Sequence, residues 1–183
     1  SRTRLNRFDA TSSSYGSNSN NKILIPVQAD GFIDTSKSYL YVKVQSLHTS
    51  AGNNVCNLDG NVASIIDKLE ISVAGSSGKV ETLDRYNVFH LYDQVWNSGF
   101  EDVTYQQAVN GGSAPALEWS AVGATLAKTG GHSNVSDFKI LALKLKSGFL
   151  NSYFNKALPM GLPQFTIEIT LASGIQALVA GGA

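Results

Sequence analysis

The chain has 183 residues, 43% of them hydrophobic and only 15% charged, and its 14 Lys and Arg balance its 14 Asp and Glu. That length suits one domain with a core large enough to fold without staples. Ser, Asn, Gly and Thr, residues of turns and neutral surfaces, replace the missing charge. A neutral, charge-poor surface favours association and suits a subunit covered by neighbours, although a merely polar surface fits the composition equally. Cys56 is the single cysteine, which excludes an intrachain disulfide framework and a four-cysteine zinc site. It reads as a small apolar filler near a loop. No apolar run is long enough to span a bilayer, and the polar, basic first residues lack the apolar stretch of a signal peptide. The initial Ser in place of Met reads as processing or trimming.

Residues 1–21 read as a flexible arm: Arg2, Arg4 and Arg7, then runs of Ser and Asn that cannot bury enough apolar surface to fold alone. The arginines are candidates for contact with phosphates of a genome or of lipid head groups, against the plain alternative of a solvated tail. The folded body is expected over 22–183. Ile23, Ile25 and Val27 alternate with Leu24, Pro26 and Gln28, a strand placed at an edge or bulge by Pro26. Tyr39 to Leu47 is a second strand, with Leu40, Val42 and Val44 facing opposite to Tyr41, Lys43 and Gln45. A Gly- and Asn-rich loop covers Thr49 to Asn61. In Ile65 to Val73, the third strand, Leu69, Ile71 and Val73 point in and Lys68, Glu70 and Ser72 point out. Gly75-Ser76-Ser77-Gly78 makes a hairpin to a fourth strand, Lys79 to Leu83.

Asp84 is the expected cap of a helix running from Tyr86 to Trp96 and stopped by Asn97-Ser98-Gly99. Phe100 to Asn134 reads as a long excursion with little regular structure, of the kind that is usually functional or interfacial. Phe138 to Lys146 is the fifth strand, with Leu141, Leu143 and Leu145 inward. A short helix, Phe149 to Phe154, and an extended corner, Leu158 to Pro163, follow. The sixth strand, Phe165 to Leu171, alternates cleanly, and Gly174 to Ala183 is small and apolar. Six strands, one helix between the fourth and fifth and a short helix after the fifth predict an all-β, antiparallel β-sandwich, with a jelly roll as the leading form.

Chemistry-bearing motifs are sparse. His48, His90 and His132 lie far apart without metal-site spacing. Glu101-Asp102 reads as a solvated acidic pair. Gly75-Ser76-Ser77-Gly78-Lys79 lacks the spacing of a phosphate loop and joins strand to strand. Tyr39 and Tyr41 share one strand face and suit sugar or base stacking, or more ordinarily packing and interface contact. No catalytic residue, metal ligand or cofactor is expected, and the chain is not expected to be an enzyme.

Three segments carry a resemblance. Ile65 to Asn87 forms a strand, a Gly/Ser hairpin, a second strand and an acidic Tyr-Asn lead-in to a helix. Leu143 to Pro159 contains Ser147-Gly148-Phe149-Leu150 and Lys156-Ala157-Leu158-Pro159. Phe165 to Ala172 is the strand after that corner. In this order they resemble the first jelly roll of the double jelly-roll major capsid proteins of the adenovirus and tectivirus lineage, over roughly Lys22 to Ala172. The resemblance implies a virion protein that assembles with other copies of itself, as a homotrimer of pseudo-hexameric outline, and with other capsid proteins into an icosahedral shell. The arm with Arg2, Arg4 and Arg7 would face the genome or an internal membrane, and Phe100 to Asn134 would reach the outer surface or a neighbour. In that family two more strands and a second roll follow the last strand matched here. The roll is therefore expected to be a fragment, to take strands from another chain, or to be a smaller single-roll variant; eight paired strands within the chain would refute the incomplete form. A single jelly-roll minor capsid or vertex protein and a carbohydrate-binding β-sandwich are the alternatives.

Overall fold

The computed structural model describes residues 4–16, 19–28, 31–44, 56–59, 61–97, 109, 122–125, 139–150, 157–159, 164–173 and 178–180. Eleven strands lie among them: β1 (Lys22–Val27), β2 (Phe32–Ile33), β3 (Leu40–Val44), β4 (Cys56–Asp59), β5 (Ile66–Val73), β6 (Lys79–Asp84), β7 (Val122–Thr125), β8 (Lys139–Leu143), β9 (Leu158–Pro159), β10 (Phe165–Leu171) and β11 (Leu178–Ala180). One helix, α1 (Tyr86–Asn97), follows β6, and short 3₁₀ turns cover Thr35–Lys37 and Val62–Ile65. The architecture is mixed α+β, with several antiparallel sheets and a helix built into the core.

The pairings nest. β1 pairs β10, β2 pairs β9, β3 pairs β8, β4 pairs β7 and β5 pairs β6, every pair antiparallel. The chain thus runs out and back as one long ribbon whose tip is the β5–β6 hairpin. Gly75, at φ 84°, supplies the left-handed residue that the tip needs. Two further antiparallel pairings curl the ribbon on itself: β10 with β5, and β11 with β4. The result is a four-stranded sheet ordered β1-β10-β5-β6, a three-stranded one ordered β11-β4-β7, and the two-stranded β2-β9 and β3-β8. β1 is an edge strand, as the missing N–H of Pro26 requires.

Period-two alternation places the core. Ile25 and Val27, Leu69 and Ile71, Leu141 and Leu143, and Phe165, Ile167 and Ile169 are all buried in one cluster, joined by Leu58, Val62, Ala63, Ile66, Tyr86 and Leu150. The alternation in β3 is also as expected, with Leu40, Val42 and Val44 more buried than Tyr41 and Lys43.

Several expectations are corrected. Glu70 was expected to point outward; it is 5% exposed, covered on the second face of β5 by Lys68 of its own strand and Lys79 of β6. Asp84 does not cap the helix. It ends β6 opposite Lys68, and its carboxylate meets Lys68 Nζ at 3.3 Å. Arg85, at φ 51°, turns the chain instead, and its carbonyl accepts from the N–H groups of Val88 and Phe89. The loop assigned to Thr49 to Asn61 contains β4, the excursion from Phe100 to Asn134 contains β7, and the apolar end contains β11. These strands of three or four residues are too short for alternation to reveal. Where six strands were expected, eleven paired ones lie among the described residues. The fifth strand stops at Leu143 rather than Lys146. Residues 148–150 form a turn, and the rest of the expected short helix lies outside the described residues.

Candidate functional site

Among the described residues a buried polar cluster lies where α1 meets the segment after β8. Helical spacing sets Tyr86, His90 and Asp93 on the inward face of α1, where they are 0%, 2% and 6% exposed. Tyr86 Oη accepts a hydrogen bond from the Lys146 N–H at 2.7 Å, and the Lys146 ammonium pairs with the Asp93 carboxylate. The Tyr86 and His90 rings lie 5.9 Å apart. His90 Nδ1 has no hydrogen-bond partner. Burial holds the His90 pKa down at about 4, helped by the Lys146 charge and opposed by Asp93 and by a hydrogen bond with the Lys144 backbone. The imidazole is therefore neutral at pH 7.

The same segment is tied to β6. The Glu81 carboxylate accepts from the N–H groups of Gly148 and Phe149 at 2.8 and 2.9 Å, and Ser147 Oγ accepts from the Leu150 N–H at 3.0 Å. The Gly148 and Phe149 N–H groups thus close around a carboxylate, while Lys146 just before them is locked to α1. Chemically the cluster is a latch. Its acid and base are already committed to each other, and Glu81 to backbone.

A second polar array covers the outer face of the four-stranded sheet. Register sets Glu168 directly opposite Glu70, a like-charge pair that destabilises a sheet unless cations bridge it. Lys79 reaches both carboxylates, Lys22 meets Glu168 at 2.7 Å, and Lys68 meets Glu70 at 3.0 Å. Hydrogen bonding to Lys79 holds the Glu70 carboxyl below its ordinary pKa, against the cost of burial. The Glu168 hydrogen bond raises Lys22. Bonds to Glu70 and Asp84 raise Lys68.

The expected contact residues are only partly brought together. Arg2 lies outside the described residues. The Arg4 Nε–H donates to Asn6 Oδ1 at 3.0 Å, while Arg7 pairs with Asp9 at 2.7 Å on the exposed surface. Their segment does not hang free. Phe8 and Ala10 pack against the core, and the Thr11 N–H donates to the Leu24 carbonyl at 3.0 Å. Tyr41 is 72% exposed on β3 opposite Ala142, and Tyr39 is 38% exposed beside it. His48, His132 and Glu101-Asp102 lie outside the described residues, as does the side chain of Cys56. Among the described residues no cluster of three or more His, Cys, Asp or Glu is arranged to hold a metal, and no helix is long and apolar enough to cross a membrane. The latch itself went unread in the sequence. Its signal was a polar pair, His90 and Asp93, on the same helical face as Tyr86.

No protein-family model matches the chain, and neither does any of the curated proteins compared with it.

Proposed function

We propose that this chain is a jelly-roll capsid subunit whose work is assembly rather than catalysis. The observation that carries the reading is the nested pairing, from β1 with β10 inward to β5 with β6. A ribbon curled so that β10 also meets β5 is how a jelly roll is wound. The order of the motifs around Ile65 to Asn87, Leu143 to Pro159 and Phe165 to Ala172 supports the same reading, as does the absence of net charge. On this reading copies of the chain meet as trimers within a shell around the genome. The segment bearing Arg4 and Arg7, together with Arg2, faces the interior. Arg7 already shares its charge with Asp9, so Arg4 is the freer of the two for a phosphate.

Light scattering on a size-exclusion column tests the proposal: trimers or larger assemblies are expected, and a monodisperse monomer at all concentrations overturns it. Exposed Tyr41 on β3 and Tyr39 just before it favour one other reading, a sugar-binding sandwich. Such a module would be monomeric, and its Tyr41→Ala variant would lose oligosaccharide binding.

A further inference from the structure

The helix α1 has a second face that stays exposed among the described residues. Tyr86, Phe89, His90 and Asp93 turn inward or are part-buried, yet Val88, Leu91, Tyr92 and Trp96 remain 58%, 40%, 65% and 65% exposed. Val88, Tyr92 and Trp96 follow one another at single-turn spacing, with Leu91 alongside, so they form one row along the helix. Between Tyr86 and Asn97 the only charged residue is Asp93, and it is buried against Lys146. The row therefore offers water an apolar strip with no ionic group of its own. The Tyr92 and Trp96 rings are already packed together, centroids 5.7 Å apart, so little side-chain freedom remains to be lost on docking.

We infer that this row of α1 is a contact surface between copies of the chain. The choice of a second copy rests on the capsid reading, and three observations support it. An aromatic side chain presents about 150–250 Å², so Tyr92 and Trp96 alone expose on the order of 250 Å². That is too little for a whole interface of about 800 Å² per partner, but it is the right scale for the apolar centre of one. The chain has no net charge, so copies approach without mutual repulsion. Each copy also carries a second exposed apolar patch, where Tyr41, 72% exposed on β3, and Ile140, 60% exposed on β8, share one face of the paired strands. One chain thus supplies both a row to be covered and a surface able to cover it, and a contact between two different patches of one chain closes into a ring when the rotation allows. The uncharged row has nothing to offer phosphate, which argues against nucleic acid as the occupant.

The test uses the full chain in two forms. Sedimentation velocity compares wild type with a Tyr92→Ser/Trp96→Ser variant and with a Val80→Ser control, whose parent side chain is 50% exposed on β6. The double variant is expected to weaken self-association about tenfold or more, with circular dichroism unchanged, while the control assembles normally. In a Trp119→Phe background Trp96 is the sole tryptophan, and its emission should shift to the blue and resist acrylamide as concentration rises. Assembly that survives the double variant, or that leaves Trp96 fully quenchable, overturns the inference and leaves the capsid reading standing. A wild type that stays monomeric overturns both. Trp96 emission that is already blue and protected in that monomer identifies another part of the chain as the cover.

Discussion

Replacing His90 by Gln should remove most of the acid sensitivity of the fold between pH 6.5 and 4. The His90 imidazole is buried, lies beside the Lys146 ammonium, and has its pKa lowered from 6.5 to about 4. Because the folded value lies below the unfolded one, the unfolded chain takes up the proton first as pH falls. The stabilisation is fully present above pH 6.5, is lost progressively down to about pH 4, and changes no further below that. A displacement of that size corresponds to on the order of 3 kcal/mol at full extent, and to on the order of 2–3 kcal/mol by pH 4.5. Asp93 and the Lys144 backbone pull the other way, and their effect is already contained in the value. Gln keeps an amide donor for the Lys144 carbonyl and cannot be protonated. Urea unfolding followed by circular dichroism at fixed protein concentration, at pH 8, 6.5, 5.5 and 4.5, gives the comparison. Wild type should lose stability by pH 4.5, while His90→Gln starts lower and declines much less. Parallel declines for the two proteins would refute the reasoning, because the proton would then be taken up elsewhere.

Glu81→Gln should lower stability by about 1–3 kcal/mol at pH 7, read from the denaturation midpoint, because one amide oxygen replaces the two that accept from Gly148 and Phe149. Lys79→Ala should destabilise the sheet at pH 7, because Glu70 and Glu168 then face each other with one bridging cation fewer. The gap to wild type in a urea titration should narrow as pH falls through the lowered Glu70 pKa and the carboxylate takes up a proton. In folding kinetics, Ile71→Val near the ribbon tip should slow folding, whereas Ile25→Val on β1 should mainly speed unfolding, each for about 1 kcal/mol of stability. Equal partition of the two effects would show that the tip does not form first.

Long elements with one buried face were legible in the sequence. Phe165 to Leu171 could be read directly, since Phe165, Ile167 and Ile169 are buried and Thr166, Glu168 and Thr170 less so. The hairpin at Gly75 was equally plain, because a left-handed residue there has few substitutes. β2, β4, β7, β9 and β11 were not, because two to four residues carry no period. They exist because the ribbon brings a partner alongside, which is tertiary information. Glu70 shows the same limit. Alternation correctly assigned it to the face opposite Leu69 and Ile71, but only the register with Glu168 and the reach of Lys68 and Lys79 bury it. The latch was hidden for a related reason: Lys146 lies far along the chain from Asp93, and only the return of β8 toward α1 makes them neighbours.

The distribution of charge bears on assembly. Many of the charges placed by the structure lie in ion pairs. Lys22, Lys68, Lys79, Glu70, Glu168 and Asp84 neutralise one another across the sheet, Lys146 and Asp93 do so inside the latch, and Arg7 with Asp9 and Lys37 with Asp34 do so locally. Exposed pairs of this kind add little stability, so their main consequence is to leave the surface with a weak field. A weak field removes the repulsion that keeps most soluble chains apart. Of the exposed large apolar residues, Val88, Leu91, Tyr92 and Trp96 lie on α1 and Tyr39, Tyr41 and Ile140 on or beside the β3–β8 pair, while Leu5, Leu24, Phe32 and Val80 lie apart. On the proposed reading, paired charges and the aromatic row on α1 suit repeated contact between copies of the chain. On that reading the specificity of contact rests on the shape of the row, because the paired charges leave little field to steer with.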